Sequence, residues 1–132
     1  MYDTHVTLTG TVGTAVTVRT VGEHQVSTFR VAVNPRRLNR ATGEWTSGQT
    51  HWYTVNAWRQ LGANVAQSLQ VGDAVVVYGR LSQKNYTTST NQEASASEVD
   101  AFFVGHDLNR GTTTLVKTSR RQPEAESEDV AA

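Results

Sequence analysis

Two tryptophans stand on the same side of a short alternating segment, Trp52 to Trp58. If this segment is a β-strand, Tyr53, Val55 and Ala57 face one way and are apolar and small enough for a core. Trp52, Thr54, Asn56 and Trp58 face the other way. A tryptophan buries about 150–250 Å² when it packs, so two such rings among polar neighbours are costly to leave in water. Either ring alone could pack on a loop or a second subunit, but the pair favours a ligand-binding surface.

Basic side chains surround this segment. Arg36, Arg37 and Arg40 lie within five residues and would repel one another without an anion. Bases stack on aromatic rings at about 1–3 kcal/mol each while cations follow the phosphates, so interleaved aromatic and basic residues favour single-stranded nucleic acid. Any one cation could instead be solvated. The predicted phosphate contacts are Arg30, Arg36, Arg37, Arg40, Arg59, Arg80 and Lys84.

No catalytic motif accompanies these residues. The chain has no Gly-x-Ser-x-Gly elbow, no Gly-rich loop ending in Lys-Ser/Thr and no His-Glu-x-x-His. Glu98 and Asp100 share a strand face, but a solvated edge is a simpler account than acid–base catalysis. The four histidines are scattered without carboxylates at ligand spacing, so surface or capping roles are favoured for them. We therefore predict no catalytic site, no metal and no cofactor; the histidines are His5, His24, His51 and His106.

The zero net charge is an average over two unlike parts. Residues 1–121 hold all 12 basic side chains and eight acidic ones, whereas residues 122–132 hold four acidic side chains and no basic one. A weakly basic body therefore precedes an acidic end. Cysteine is absent, which excludes disulfides and suits a reducing cytoplasm. With no apolar run of about 20 residues and no signal-peptide pattern, we predict a soluble, unprocessed cytoplasmic protein at the nucleoid, without membrane contact.

Short alternating segments must position these side chains. The segment of 18 residues from Asn34 to His51 is long for a connection and is either a functional loop or an extended hairpin. A helix with apolar residues spaced by four follows the tryptophan segment, and a polar turn lies within Ser82–Glu93. The predicted strands are His5–Val12 extended through Val16–Arg19, Gln25–Val33, Trp52–Trp58, Asp73–Leu81 and Ser97–Val104, and the helix is Arg59–Gln70.

Several short strands with a single helix between the third and fourth predict an all-β OB-fold, the five-stranded Greek-key barrel. We assign residues 1–112 to this single-stranded nucleic-acid-binding domain. Residues 113–132 are predicted to form a disordered acidic tail, because they cannot bury enough apolar surface to order themselves.

Three stretches resemble the bacterial single-stranded DNA-binding proteins, and the similarity runs from about Val6 to Leu108. They are Thr50–Trp58, Leu61–Leu69 and Val71–Leu81 with its Gly-Arg-Leu ending. The resemblance implies sequence-tolerant binding of single-stranded DNA, with bases stacked on Trp52, Trp58 and Tyr86; the family is itself a standard example of stacking on such barrels. It also implies DNA protection in replication, recombination, repair or chromosome segregation, and a homotetramer. The first strand, which looks exposed, would pair readily with a copy of itself.

The chain departs from the family pattern at two places. The loop position that usually bears another stacking aromatic falls on Arg37-Leu38, so Trp45 is the candidate substitute. The C-terminus lacks the family's acidic Pro-Phe tip and ends at Ala132, like the short-tailed second paralogue of some filamentous, sporulating bacteria. This departure predicts weak or absent protein partners of the kind that grip the tip.

Two other functions stay open. The same barrel could serve as a primosome-type accessory or protein-interaction module. It could also bind single-stranded RNA, because stacking and phosphate contacts scarcely distinguish the two sugars.

Overall fold

The computed structural model describes residues 2–118, whose polypeptide forms eight β-strands and one α-helix. The side chains of Arg37 and Ser47 are not described. In chain order the elements are β1 Thr4–Val12, β2 Thr17–Val21, β3 His24–Val33, β4 Arg36–Asn39, β5 Glu44–Ser47, β6 His51–Trp58, α1 Arg59–Ser68, β7 Ala74–Thr87 and β8 Glu93–His106.

Five of these strands form a closed ring in the order β1-β7-β8-β6-β3, and β1 pairs with β3 to close it. The closing seam is short, since only Thr11 and Val12 of β1 pair with Ala32 and Val31 of β3. Neighbouring strands are antiparallel except β6 and β8, which are parallel. Helix α1 lies between the third and fourth strands of the ring in sequence, so the predicted five-stranded OB barrel is confirmed.

The alternation of apolar residues explains how the ring fills. Phe29, Val55, Val77 and Val99, one from each of four strands, are at most 1% exposed and belong to one core cluster. Helix α1 packs against β3 and β6 and needs a glycine there, because a Cβ at Gly62 would lie 2.3 Å from the Ala57 carbonyl oxygen. The inward side chains of β6 are thus fixed, which leaves its tryptophans on the outside.

Three local predictions differ from the structure or are refined by it. Val16–Arg19 does not extend the first strand, because the chain leaves it at Gly13 and forms β2, which pairs with the outer edge of β3. The long connection contains the β4–β5 hairpin, so the hairpin alternative is confirmed. The last two strands run further than predicted and form a long hairpin with its turn after Thr87.

The C-terminal part of the described chain has no helix or strand. Residues 107–118 follow β8, and Leu115 and Val116 are 78% and 85% exposed. Thr118 donates a hydrogen bond to Asn64 Oδ1 on α1 at 3.1 Å. The remainder of the predicted tail, residues 119–132, lies outside the described residues.

Candidate nucleic-acid interface

The outward face of β6 carries both tryptophans, as the alternation predicts. The Trp52 and Trp58 side chains are 44% and 38% exposed, whereas Val55 and Ala57 on the opposite face are fully buried. Asn56 lies between the two rings on the outward side and is only 8% exposed. The strand therefore presents two accessible rings around a covered amide.

The strands on either side of β6 present opposite charges. Arg30 of β3 is paired with Thr54. On the other side Glu98 of β8 is paired with Thr54 and Asp100 with Asn56. Paired residues in adjacent strands point to the same side of the sheet, so the aromatic strand separates a guanidinium from two carboxylates.

Trp52 is held between a guanidinium and a glycine. The Arg30 Cζ atom lies 4.7 Å from the Trp52 ring centroid, within cation–π range. The backbone of Arg30 is bound on both sides, since its N–H donates to Thr14 Oγ1 at 3.0 Å and its carbonyl accepts from the Gly13 N–H at 2.8 Å. A Cβ at Gly13 would lie 2.4 Å from Trp52 Cζ3. The segment of Gly13 and Thr14 therefore fixes both members of this pair.

Trp58 precedes a strained residue. Arg59, the first residue of α1, has a φ of 60°, a left-handed conformation that costs a non-glycine residue about 1–2 kcal/mol. Its Nη2 atom lies 3.2 Å from His24 Nε2, which accepts the hydrogen bond in the tautomer that carries its proton on Nδ1. The bond links the start of the helix to β3, where Val26, paired with Trp58, is fully buried. Such strain is more frequent at binding sites than elsewhere.

The β4–β5 hairpin carries a second aromatic and basic pair. Trp45 is 59% exposed and pairs across the hairpin with Leu38. The Arg36 Cζ atom lies 6.0 Å from the Trp45 ring centroid, at the limit of the cation–π range. Arg40 is exposed in the turn, while the side chain of Arg37 lies outside the described residues. The predicted loop platform is therefore an ordered hairpin.

The β7–β8 hairpin differs, because its two candidate cations are occupied. Arg80 Nη2 lies 3.1 Å from Asp100 Oδ2, and Lys84 Nζ lies 3.9 Å from Glu98 Oε1. Tyr86 stands two residues beyond Lys84 and is 51% exposed. Within residues 2–118, Arg30, Arg36, Arg40 and Arg59 form no ion pair with a carboxylate. The predicted cations whose side chains are described therefore fall into two groups. Those on β3, the β4–β5 hairpin and α1 have no carboxylate partner among residues 2–118, and those on β7 are paired with carboxylates.

A buried amide connects the two charged strands. Asn56 Nδ2 donates to Glu98 Oε1 at 3.1 Å, and Thr28 Oγ1 donates to Asn56 Oδ1 at 2.8 Å. The position of Asn56 on the outward face follows from alternation, but its two partners on β3 and β8 do not. Sequence reasoning likewise missed Gly13 and His24, since nothing in the linear pattern brings them to Trp52 and Arg59.

Asp73 forms a separate polar cluster with His106 at the start of β7. The backbone N–H of Gln70 donates to its carboxylate at 3.0 Å, and His106 Nε2 lies 3.0 Å from the same oxygen. These contacts, chiefly the Gln70 hydrogen bond, lower the pKa of Asp73 below its ordinary 3.8 despite partial burial. The described residues contain no group of three or more His, Cys, Asp or Glu side chains that could hold a metal ion. Within residues 2–118, no helix is long and apolar enough to cross a membrane.

Residues 3–107 match a family model described as the single-strand binding protein family. Among curated proteins, "Single-stranded DNA-binding protein 2" of Streptomyces avermitilis is 39% identical over 125 residues, covering 95% of this chain and 78% of the relative. The protein of the same name from Tropheryma whipplei is 37% identical over 123 residues, covering 92% and 80%.

Two solved structures of single-stranded DNA-binding proteins are also similar to this chain. The crystal structure of the small single-stranded DNA-binding protein from Streptomyces coelicolor matches with a TM-score of 0.74 at 37% identity, covering 84% of this chain and all of that one. The second single-stranded DNA-binding protein from Mycobacterium smegmatis matches with a TM-score of 0.66 at 34% identity, covering 88% and all of that chain.

Proposed function

The chain belongs to the single-strand binding protein family, and from this premise we propose that it binds single-stranded DNA without sequence preference. One observation identifies the surface to which we assign DNA binding. Two accessible tryptophans share the outward face of β6, and a guanidinium free of carboxylate partners within residues 2–118 stacks on one of them. Every base offers a π-face to such a ring, so this surface needs no base-edge code.

We propose that bases stack on the tryptophans while arginines contact the backbone. Trp52 and Trp58 form the centre, and the β4–β5 hairpin supplies Trp45 as a further ring. Arg30 and Arg36 already lie over rings in the free protein, so each can move from the ring to a phosphate when a base arrives. The full proposed set is Trp45, Trp52, Trp58 and Tyr86 for stacking, and Arg30, Arg36, Arg37, Arg40 and Arg59 for phosphates. Arg80 and Lys84 are held by carboxylates and contact a phosphate only when it displaces these partners.

Tryptophan emission tests this surface directly. All three tryptophans of the chain belong to the proposed set, so saturating oligo-dT at low salt should quench the emission. If the five proposed arginines each neutralise one phosphate, log K should fall with log salt at a slope of about 3.5 per protomer. Unchanged emission would refute the stacking, and affinity independent of salt would remove the arginines from the interface.

Substitution of one ring tests its individual role. Trp58→Ala should lose roughly 1–3 kcal/mol of binding free energy, while Trp58→Phe, which keeps an aromatic face, should retain most of it. Loss of assembly with DNA affinity intact in Trp58→Ala would instead assign the ring to a subunit contact. Competition between oligo-dT and oligo-rU measures the preference for DNA over RNA.

We propose that the protein is a homotetramer. Residues 4–10 of β1 pair with β7 on one edge, and no described strand pairs with their other edge. Beside this strand lies an exposed aromatic cluster in which Tyr78 and Phe103 stack at 5.2 Å, with Phe103 57% and Phe102 52% exposed. A free strand edge and an apolar patch both favour contact with a second copy.

Light scattering at micromolar concentration should give four times the protomer mass. Phe103→Asp should lower this mass, and a monomeric wild-type protein would contradict the proposal.

Three further proposals rest on the family membership. We propose that the protein has no catalytic role, that its binding domain ends near residue 112, and that it works in the cytoplasm at the nucleoid.

A further inference from the structure

The charge of the candidate interface changes sign across β6. Arg30 stands on one side of Thr54, and Glu98 stands on its other side. Asp100 continues the acidic row beside Asn56. A polyanion that stacks on Trp52 and Trp58 therefore meets a guanidinium without a carboxylate partner toward β3 and a row of carboxylates toward β8.

The carboxylates of this row already occupy the cations of β7. Asp100 holds Arg80 across the strand pair at 3.1 Å, and Glu98 reaches Lys84 at 3.9 Å. The side chains of Arg80 and Lys84 are 47% and 65% exposed, so a phosphate can approach each of them. Exposed ion pairs contribute little to stability, and they can exchange one anion for another.

Glu98 is held in place by more than its cation. Asn56 donates to it at 3.1 Å, and Asn56 is itself bound by Thr28 and only 8% exposed. The Glu98 side chain is 25% exposed. Its carboxylate is therefore anchored to the buried part of the aromatic strand and remains at the boundary when Lys84 moves.

We propose that Glu98 and Asp100 set the path of the bound strand by acting as internal competitors of phosphate. A phosphate reaches Lys84 or Arg80 only by displacing a carboxylate, so the first contacts form on the β3 side of β6 and on the β4–β5 hairpin. While Arg80 and Lys84 stay paired with these carboxylates they neutralise no phosphate, so they release no condensed counterions and add nothing to the salt dependence of binding. This inference rests on the proposed single-stranded DNA binding.

The test compares salt titrations of oligo-dT binding by the full chain and by Glu98→Gln and Asp100→Asn. Both substitutions keep the side-chain shape and an oxygen acceptor, so the amide oxygen introduced by Glu98→Gln can still accept from Asn56. Each variant frees one cation, and its log K against log salt should steepen by about 0.7. If the lines for variant and wild type meet near 1 M salt, the affinity of each variant at 50 mM should exceed that of wild type roughly eight-fold.

Asp107→Asn is the matched control. Like the two test substitutions, it removes one negative charge, but it does so just beyond the end of β8. At the rise of an extended chain Asp107 lies about 20 Å from Asp100. This distance exceeds the Debye length, which is about 10 Å at 0.1 M salt. In the Glu98→Gln background, Lys84→Gln should cancel the added slope, because it removes the cation that was freed. Thermal unfolding midpoints verify that each variant is folded.

The outcomes separate this inference from the proposed function. If wild type binds oligo-dT and both carboxylate variants change the slope no more than Asp107→Asn does, the competitor role is wrong while the binding function stands. If wild type does not bind oligo-dT at all, the proposed function fails and this inference fails with it.

Discussion

Gly13 places no side chain in the interface, yet its substitution should weaken DNA binding. A Cβ at this position would lie 2.4 Å from Trp52 Cζ3 and 2.8 Å from Cη2. An ordinary contact needs 3.4 Å or more, so the tip of the ring must retreat by about 1 Å. The backbone of Gly13 cannot yield instead, because its N–H is bonded to the Arg30 carbonyl at 2.8 Å.

The cost of Gly13→Ala should appear in binding and scarcely in folding. The obstacle is the far end of a side chain that is 44% exposed, so the ring can swing outward without opening the core. We expect a loss of unfolding free energy below about 1 kcal/mol, since surface changes of this kind are small. A displaced ring stacks poorly on its base and also loses Arg30, so the affinity for oligo-dT should fall by up to the roughly 1–3 kcal/mol that one stacked base contributes.

The assay is a double-mutant cycle of Gly13→Ala and Trp52→Ala, with oligo-dT affinity and urea unfolding measured for all four proteins. In the Trp52→Ala background, Gly13→Ala should have no further effect on affinity, because the ring it displaces is absent. Gly10→Ala is the contrasting control, since its Cβ would lie 2.4 Å from the carbonyl oxygen of Ala32, which is backbone and cannot swing away. Additive losses of affinity in the cycle would refute the argument that Gly13 acts through Trp52.

Three further predictions concern the frame of the site. Arg59→Gly should be at least as stable in thermal unfolding as Arg59→Ala, because φ is 60° at this position. At an ordinary helix position glycine is about 1 kcal/mol less stable than alanine. A glycine variant that is less stable than the alanine variant would contradict the left-handed backbone. Gly62→Ala should lose about 1–3 kcal/mol of stability in urea, because a Cβ would lie 2.3 Å from the Ala57 carbonyl oxygen, and unchanged stability would mean that α1 packs further from β6. The pKa of Asp73 is lowered on folding, so its stabilisation is present above its unfolded pKa of about 3.8 and is lost as the pH falls through the folded value. Asp73→Asn should therefore flatten the acid side of the stability curve, and a variant curve that stays parallel to that of wild type throughout the acid range would exclude this linkage.

The strand pattern was predictable where one face is buried and the other is wet. The period of two in Trp52–Trp58 separates core from surface correctly, because a barrel strand has one inside and one outside. It fails at Val16–Arg19, where the residues also alternate. There Gly13 leaves the first strand to brace Arg30, and the following residues pair with β3 outside the ring. All residues of β2 are exposed, so the alternation there indicates a strand but neither its burial nor the neighbour that it joins.

The ion pairs of β7 and β8 could not be predicted from the sequence for a related reason. Arg80 and Asp100 are 20 positions apart, and Lys84 is 14 positions from Glu98, so only the register of β7 and β8 pairs them. The sequence alone therefore treats all seven candidate cations as equally available to phosphate. In the described residues those on β7 are bound to carboxylates, and this division of the arginines and lysine follows from topology alone.

The barrel closes through a seam of only two residue pairs, and this seam ends where the Trp52 support begins. Thr11 and Val12 join β3 directly before Gly13 and Thr14, which hold the backbone of Arg30. Local opening is easiest where few bonds must break, so amide exchange should be faster at this joint than along the long β7–β8 pairing. Each opening carries the support away from the ring and lets the ring tilt. A base stacked on Trp52 would hold the ring against Gly13 and so oppose the opening of the seam between β1 and β3. DNA bound without regard to its sequence would then stiffen the part of the protein that adapts to it.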